Sequence, residues 1–260
     1  MEKKDKPIYN LNNISDISLD IIYKECSGPG GLELVDFMAG KMKIKHGTKL
    51  FDAGANRGFP TCYLTKKYGT FTVAIDPWDD RTDLRPTVDY IMDNAYKWGV
   101  EDQLAAMKLG LPDTYFADRT FDYAYSTTTL EMIRNIKGEE GYLEALQEIL
   151  RIMKPGGIFG LAEPMHLETD LPEDLIPYVS QDLFPWKECF KSISHTMVAV
   201  KNAGFEIIES GYTPDAQRWW NEFAEHDPYS KNDPEGDALT LKIDNGRWVS
   251  FGYIIAKKPL

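Results

Sequence analysis

The sequence predicts an α/β fold built on a doubly wound, mostly parallel sheet, and three observations predict it. Two short apolar runs, residues 49–53 and 74–75, flank a stretch of helical length from 58 to about 67, the order of a parallel strand–helix–strand unit. The first run enters a turn holding Gly54 and Gly58, and the second ends on a carboxylate, Asp76, 24 residues past Asp52. The alternation then resumes with a strand at 121–126, an amphipathic helix at 141–153 and a strand at 158–164. In such a sheet a ligand reaches the backbone at the turn leaving the first strand. An acid at the tip of the next strand accepts hydrogen bonds from a ribose diol. The unit reads as a nucleoside-binding half-fold.

Taken in order, residues 1–14 are polar and aperiodic, an arm or part of a cover. Residues 19–24 read as a helix that Ser27-Gly28-Pro29-Gly30-Gly31 breaks, and Leu32, Leu34, Val35, Met38 and Ala39 form the apolar stripe of a second helix. His46-Gly47 ends that region. In the turn, Asn56 is a residue type that tolerates a left-handed backbone, while Gly58 is read as serving helix packing. Pro77-Trp78 open a polar connection to a helix at 87–98, and Trp78 reads either as a ring beside a bound base or as a surface aromatic. A poorly marked third strand falls at 104–109. Ser126 and Thr127 leave the fourth strand, and Lys154-Pro155-Gly156-Gly157 separates a helix from the fifth. Asn202-Ala203-Gly204 turns into a sixth strand, and residues 247–256 make the last.

Two connections, 165–191 and 212–246, exceed what the sheet needs, and connections of that length inside a compact domain carry function or are disordered. Tyr178, Phe184, Trp186 and Phe190 in the first, and Trp219, Trp220, Phe223 and Tyr229 in the second, argue against disorder. The first leaves the carboxyl end of the sheet and is expected to lie over the site as a lid. The expected division is one domain over 1–260: a cover at 1–45, a ligand-binding core at 46–164, a lid at 165–192, and a C-terminal part at 193–260 with an insertion at 213–246.

Composition excludes several classes. The net charge is −12, from 29 basic and 41 acidic residues, with no basic cluster longer than Lys3-Lys4 or Lys66-Lys67. A nucleic-acid partner would require a basic footprint, so the expected partner is a small molecule. Cys26, Cys62 and Cys189 are few and lack metal-ligand spacing, which suits a reducing compartment and predicts no metal. No run of 18 apolar residues occurs and the first residues are charged, so a cytoplasmic protein without a membrane partner is expected. Nothing in the composition indicates an oligomeric state.

The spacing of Gly54 and Gly58 lacks the Gly-x-Gly-x-x-Gly of dinucleotide sites. It resembles motif I of the class I S-adenosylmethionine-dependent methyltransferases, Asp-x-Gly-x-Gly-x-Gly, with Asn56 in place of the middle glycine. Phe121-Asp122, Leu130-Glu131-Met132-Ile133, Met153-Lys154-Pro155-Gly156-Gly157 and Asn202-Ala203-Gly204-Phe205 resemble that family's later landmarks, in its order. Gly30-Gly31-Leu32-Glu33, Trp219-Trp220 and Trp248-Val249-Ser250-Phe251-Gly252-Tyr253 give a layout similar to the phosphoethanolamine methyltransferases. The resemblance implies a Rossmann-like, seven-stranded, mostly parallel sheet with a helical, aromatic lid. It also implies S-adenosyl-L-methionine as cofactor and methyl transfer to a small amine, hydroxyl or thiol. Two positions depart from it: the family's catalytic histidine falls on Met132, and its adenine-binding aspartate on Gly110, leaving the Leu111 backbone or Asp113 for adenine. A nucleoside-binding module without turnover and a nucleotide-dependent oxidoreductase are the competing readings.

The expected cofactor contacts are therefore Asp52, Gly54, Asn56, Asp76, Pro77, Trp78, Leu111 and Ser126. For proton transfer and acceptor positioning the expected residues are Tyr23, in the segment resembling the family's N-terminal cover, and His166, just past the fifth strand. His166 reads equally as a lid residue with a structural hydrogen bond, and His195 as a helix cap. His46 and His226 carry no expected role. Trp186, Trp219, Trp220 and Tyr23 read as an aromatic cage for a cation or, more simply, as lid core.

Overall fold

The structure, a computed structural model, describes residues 8–12, 14–80, 83–181, 184–233 and 235–260. Residues 1–7 of the expected arm and 182–183 of the expected lid lie outside the described residues. The Ser18 hydroxyl accepts the Ile21 amide and starts helix α1 (Leu19–Glu25). Left-handed Gly30, φ 85°, then starts α2 (Gly31–Met42), which buries the predicted stripe.

The sheet follows from strands buried on both faces. β1 (Lys49–Ala53) is buried from its second residue onward: Leu50 joins one core layer and Phe51 the other. Helix α3 (Phe59–Tyr68) leads to β2 (Phe71–Ile75), and α4 (Thr87–Trp98) to β3 (Leu104–Met107). β4 (Phe121–Thr127), α5 (Leu130–Ile152) and β5 (Met153–His166) follow. Two four-residue helices, α6 (Ile176–Val179) and α7 (Trp186–Cys189), precede α8 (Ile193–Asn202) and β6 (Glu206–Tyr212). Finally α9 (Ala216–His226) and α10 (Asp237–Asp244) fill the insertion before β7 (Val249–Lys257).

The seven strands are ordered β3-β2-β1-β4-β5-β7-β6, and β7 runs antiparallel to both neighbours. The order reverses between β1 and β4, so the ligand crevice of a doubly wound sheet lies beyond their carboxyl ends. Among the described residues no helix is long and apolar enough to cross a membrane.

Two boundaries differ from the sequence expectation. The helix expected at 141–153 begins at Leu130 and is interrupted at Gly138, φ 70° and ψ −170°. Its first segment buries Glu131 and Arg134, so no apolar stripe marks it. The stretch 153–157, expected to end that helix, belongs to β5: Phe121 pairs with Met153, and the register shifts before Tyr123 pairs with Ile158. The segment expected as a lid, none of whose described residues lines the cleft beside the turn after β1, is tied to the sheet through buried charge. Arg134 Nη1 donates to Glu163 Oε1 on β5 and to the Cys189 carbonyl, both at 3.2 Å, and the Tyr142 hydroxyl donates to the same Glu163 oxygen at 3.0 Å. On its other side Trp186 packs on Phe190 and on Trp220 of α9, with ring centroids 5.1 and 5.2 Å apart.

Candidate functional site

The turn after β1 is built by backbone conformations that few residues adopt. Gly54 sits at φ 87° and Asn56 at φ 48°. Both the Gly54 and Ala55 amides donate to the Ile75 carbonyl at 3.0 Å, and the Asn56 amide donates to Asp76 Oδ2 at 2.8 Å. The turn is thereby fastened to the tip of β2. Gly58 is also left-handed, and a Cβ there would stand 2.7 Å from Ile91 Cγ2 of α4, which makes it a packing glycine as expected. Beneath the turn, Asp52 accepts hydrogen bonds from the Thr61 and Tyr125 hydroxyls on the same oxygen.

A cleft of about 380 Å³, its open mouth included, lies against this turn. Its inner wall is Gly54, Ala55, Asn56 and Pro60, and its side wall is Thr127 and Thr128 at the end of β4. Its outer wall is the segment from Glu25 to Gly31 that joins α1 to α2. That segment approaches β4 closely: a Cβ on Gly28 would fall 2.6 Å from Thr128 Oγ1. At the rim Arg57 pairs with Asp80 at 2.5 Å, lies 4.2 Å from the Tyr90 ring centroid, and has Glu25 at 4.0 Å.

The expected residues are distributed unevenly around this cleft. Gly54 and Asn56 line it. Asp76, 4% exposed, stands behind the turn: Oδ1 accepts the Trp78 amide and the Thr87 hydroxyl, both at 2.9 Å, and Oδ2 accepts Asn56. Burial raises its pKa. Pro77 and Trp78 are exposed, and Gly110 runs beside Pro77, 3.3 Å from Cβ to Cβ were a side chain present. Leu111 is half-buried against the second core layer. Ser126 is buried and spends its hydroxyl on the Ala53 carbonyl at 3.0 Å, joining β4 to β1.

Neither Tyr23 nor His166 is among the residues that line the cleft. The Tyr23 hydroxyl donates to Glu222 Oε2 at 3.1 Å, and burial raises its pKa. His166 stacks on Trp248 with centroids 4.9 Å apart, its Nδ1 2.7 Å from the Leu167 carbonyl. Ser192, not His195, caps α8, and His195 Nε2 lies 3.1 Å from Glu139. Trp186 and Trp220 pack on other rings, while Trp219 donates to Glu33. The outer wall falls within the cover expected at 1–45, although no residue between Glu25 and Gly31 was expected to line the site. Its signal was present in Gly28, Gly30 and Gly31, since clustered glycines mark close backbone approach as well as a helix break.

Burial pushes the Asp52 carboxyl up to about 7, against the lowering effect of its two hydroxyl partners. In the unfolded chain this group titrates near the ordinary aspartate value. From about pH 4 to pH 7 the folded state therefore holds the extra proton, and stability falls as pH rises. For roughly three pKa units that amounts to about 4 kcal/mol. Asp52→Asn keeps an oxygen for Thr61 and Tyr125 and removes the charge. Urea unfolding across that pH range should lose this slope in the variant, and identical slopes in both proteins would show that Asp52 does not titrate there.

A family model of the methyltransferase domain matches residues 51–161. The sterol 24-C-methyltransferase of Aspergillus fumigatus is 26% identical over 194 residues, covering 71% of this chain and 47% of the relative. The chain thus spans about half the length of that curated relative. Phosphoethanolamine N-methyltransferase 2 of Haemonchus contortus, solved with phosphomonomethylethanolamine and S-adenosylhomocysteine, superposes with a TM-score of 0.70 at 18% identity over 95% of this chain and 60% of its own. The [4+2]-cyclase SpnF superposes at 0.68 and 20% identity over 88% and 81%. Both structures share the fold.

Proposed function

We propose, from the match to the methyltransferase-domain model over residues 51–161 and from the doubly wound sheet, that the chain transfers a methyl group from S-adenosyl-L-methionine to a small-molecule acceptor. The observation that carries the proposal is the cleft at the strand-order reversal, walled by Gly54, Ala55 and Asn56 and covered by residues 25–31. Its residues fit the donor. At Gly54 an added Cβ would stand 2.7 Å from Thr129 Cβ, so only bare backbone lets the turn close against the start of α5. A carboxylate offers about four acceptor positions, and three protein donors leave Asp76 Oδ2 one for a ribose hydroxyl.

The bound donor would supply an electrophilic methyl group on a sulfonium. The chain's part is to hold donor and acceptor at near-attack distance and to keep water out, which accounts for most of the rate of an in-line displacement. The Glu25–Gly31 wall serves the exclusion. Tyr23 and His166 were the residues expected to handle the acceptor's proton; with their side chains on Glu222 and Trp248, no proton is routed through either here.

We read the chain as one catalytic unit acting in the cytoplasm on a soluble acceptor, with neither nucleic acid nor membrane as partner. The acidic composition and three buried free thiols support this. Calorimetry with S-adenosylhomocysteine is expected to give a Kd of about 10 μM or tighter, near −7 kcal/mol. Radiolabelled donor should then transfer methyl to a member of an amine, hydroxyl and thiol panel. Heat with a nicotinamide or flavin nucleotide and none with S-adenosylhomocysteine would overturn the proposal.

A further inference from the structure

The insertion between β6 and β7 reaches across the molecule to the outer wall of the cleft. Helix α9 turns Trp219, 2% exposed, against that wall. The ring lies 3.0 Å from where a Cβ on Gly30 would stand, and Gly30 is held between Pro29 and Gly31, both of which line the cleft. Left-handed Gly30 also has no room toward Leu34, 2.7 Å from the same point, so the loop lies in close contact with both α2 and α9. The Trp219 indole donates to Glu33 Oε2 at 3.1 Å, in the first turn of α2.

Arg218 extends this contact into a network over three helices. Its guanidinium pairs with Glu33 on α2 and donates to Glu222 at 2.8 Å, and the other Glu222 oxygen accepts the Tyr23 hydroxyl of α1. Its hydrogen bonds hold the Glu33 carboxyl below its ordinary pKa. A second pin joins α1 to the insertion: Asp20 lies 3.1 Å from His226 Nδ1 and 3.8 Å from Lys231, with the Tyr23 and His226 rings stacked at 6.3 Å. Both helices that flank the 26–30 loop are thus fixed from outside by one helix. Isolated surface ion pairs contribute little, but here a buried indole and a shared guanidinium act on the same loop.

We propose that α9 is a clamp on the donor cleft, with Trp219 and Arg218 as positioning residues that set how tightly the methyl donor is retained. The idea rests on the proposed donor reading and goes beyond it by assigning the insertion. Removing the clamp leaves the sheet and the glycine turn intact but lets the 25–31 wall move away. Donor affinity should therefore fall through faster release while global stability changes little.

The test uses the full chain and S-adenosylhomocysteine, read by calorimetry, stopped-flow release and thermal melting. Arg218→Glu places like charges against Glu33 and Glu222 at a position that is partly exposed. It should raise Kd about tenfold, or about 1.4 kcal/mol, in the release rate. Glu33→Arg alone should do the same, and the double exchange should recover part of the loss, since an arginine at 33 can pair with a glutamate at 218 but cannot accept the Trp219 indole. Trp219→Ala should cost more, with faster hydrogen exchange over residues 19–35. Unchanged affinity in Arg218→Glu would overturn the clamp. So would a loss that tracks a fall in melting temperature and is not recovered by the exchange. Wild-type protein that fails to bind S-adenosylhomocysteine would instead overturn the donor reading itself.

Discussion

Asp76→Ala is expected to raise the Kd for S-adenosylhomocysteine by at least about a hundredfold, because one carboxylate does two jobs. It anchors the turn by accepting the Asn56 and Trp78 amides and the Thr87 hydroxyl, and it keeps one acceptor position in reserve on Oδ2. Alanine leaves the Asn56 and Trp78 amides without this acceptor, at about 1–3 kcal/mol each where water cannot reach them, while the Thr87 hydroxyl keeps the Trp78 carbonyl at 2.9 Å. It also removes the charge-assisted bond that a ribose hydroxyl would make. Asp76→Asn separates these effects. One amide oxygen can still serve part of the turn, but the NH₂ faces protein donors, so affinity should fall while the fold survives better than in alanine. The pH dependence has a definite sign. Burial raises the Asp76 pKa, so the acceptor form is lost earlier on acidification than an ordinary aspartate would lose it. Donor affinity should weaken as pH falls through that raised value. Calorimetry at several pH values and urea unfolding of both variants make the measurement. Binding by Asp76→Ala within threefold of wild type would show that the ribose is held elsewhere.

What the sequence reveals here depends on how local each constraint is. Gly54, Asn56 and Asp76 were legible because the turn's left-handed positions and the strand-tip acid are specified by neighbours in the chain. The central strands were legible because burial on both faces leaves continuous apolar runs. The first segment of α5 was not, since it buries two charged residues, Glu131 and Arg134, and the partners of Arg134, Glu163 and the Cys189 carbonyl, lie far along the chain. The same holds for the cleft's outer wall. Gly28 matters because Thr128 stands opposite, and the glycines between 28 and 31 mark a helix break and a close approach without saying what is approached. Tyr23 and His166 were placed near the site by chain order. Their side-chain directions are set by Glu222 and Trp248, which no local pattern links to them.

Gly54→Ala is expected to destabilise the fold by about 3 kcal/mol and to remove donor binding, and its two causes can be measured separately. The first is conformational: at φ 87° an L-residue costs about 1–2 kcal/mol wherever it is placed. The second is steric. The new Cβ would stand 2.7 Å from Thr129 Cβ, so no rotamer of Thr129 relieves the clash and either the turn or the start of α5 must shift. Thr129 is the residue before α5, and it makes no side-chain cap hydrogen bond, so replacing it by glycine should cost only a few tenths of a kcal/mol at the helix end. The double variant Gly54→Ala, Thr129→Gly removes the steric part and keeps the conformational one. Its unfolding free energy should lie about 1–2 kcal/mol below wild type, clearly above that of Gly54→Ala alone. Donor binding should return only in part, because the Thr129 hydroxyl that donates to the Gly54 carbonyl at 3.3 Å is lost and the turn is less firmly held. If instead the double variant is no more stable than Gly54→Ala, the close approach between turn and helix is not what demands glycine. The requirement would then lie wholly in the left-handed backbone, and Gly54→Asn, which tolerates that conformation, would be no better accommodated with Thr129→Gly than without it.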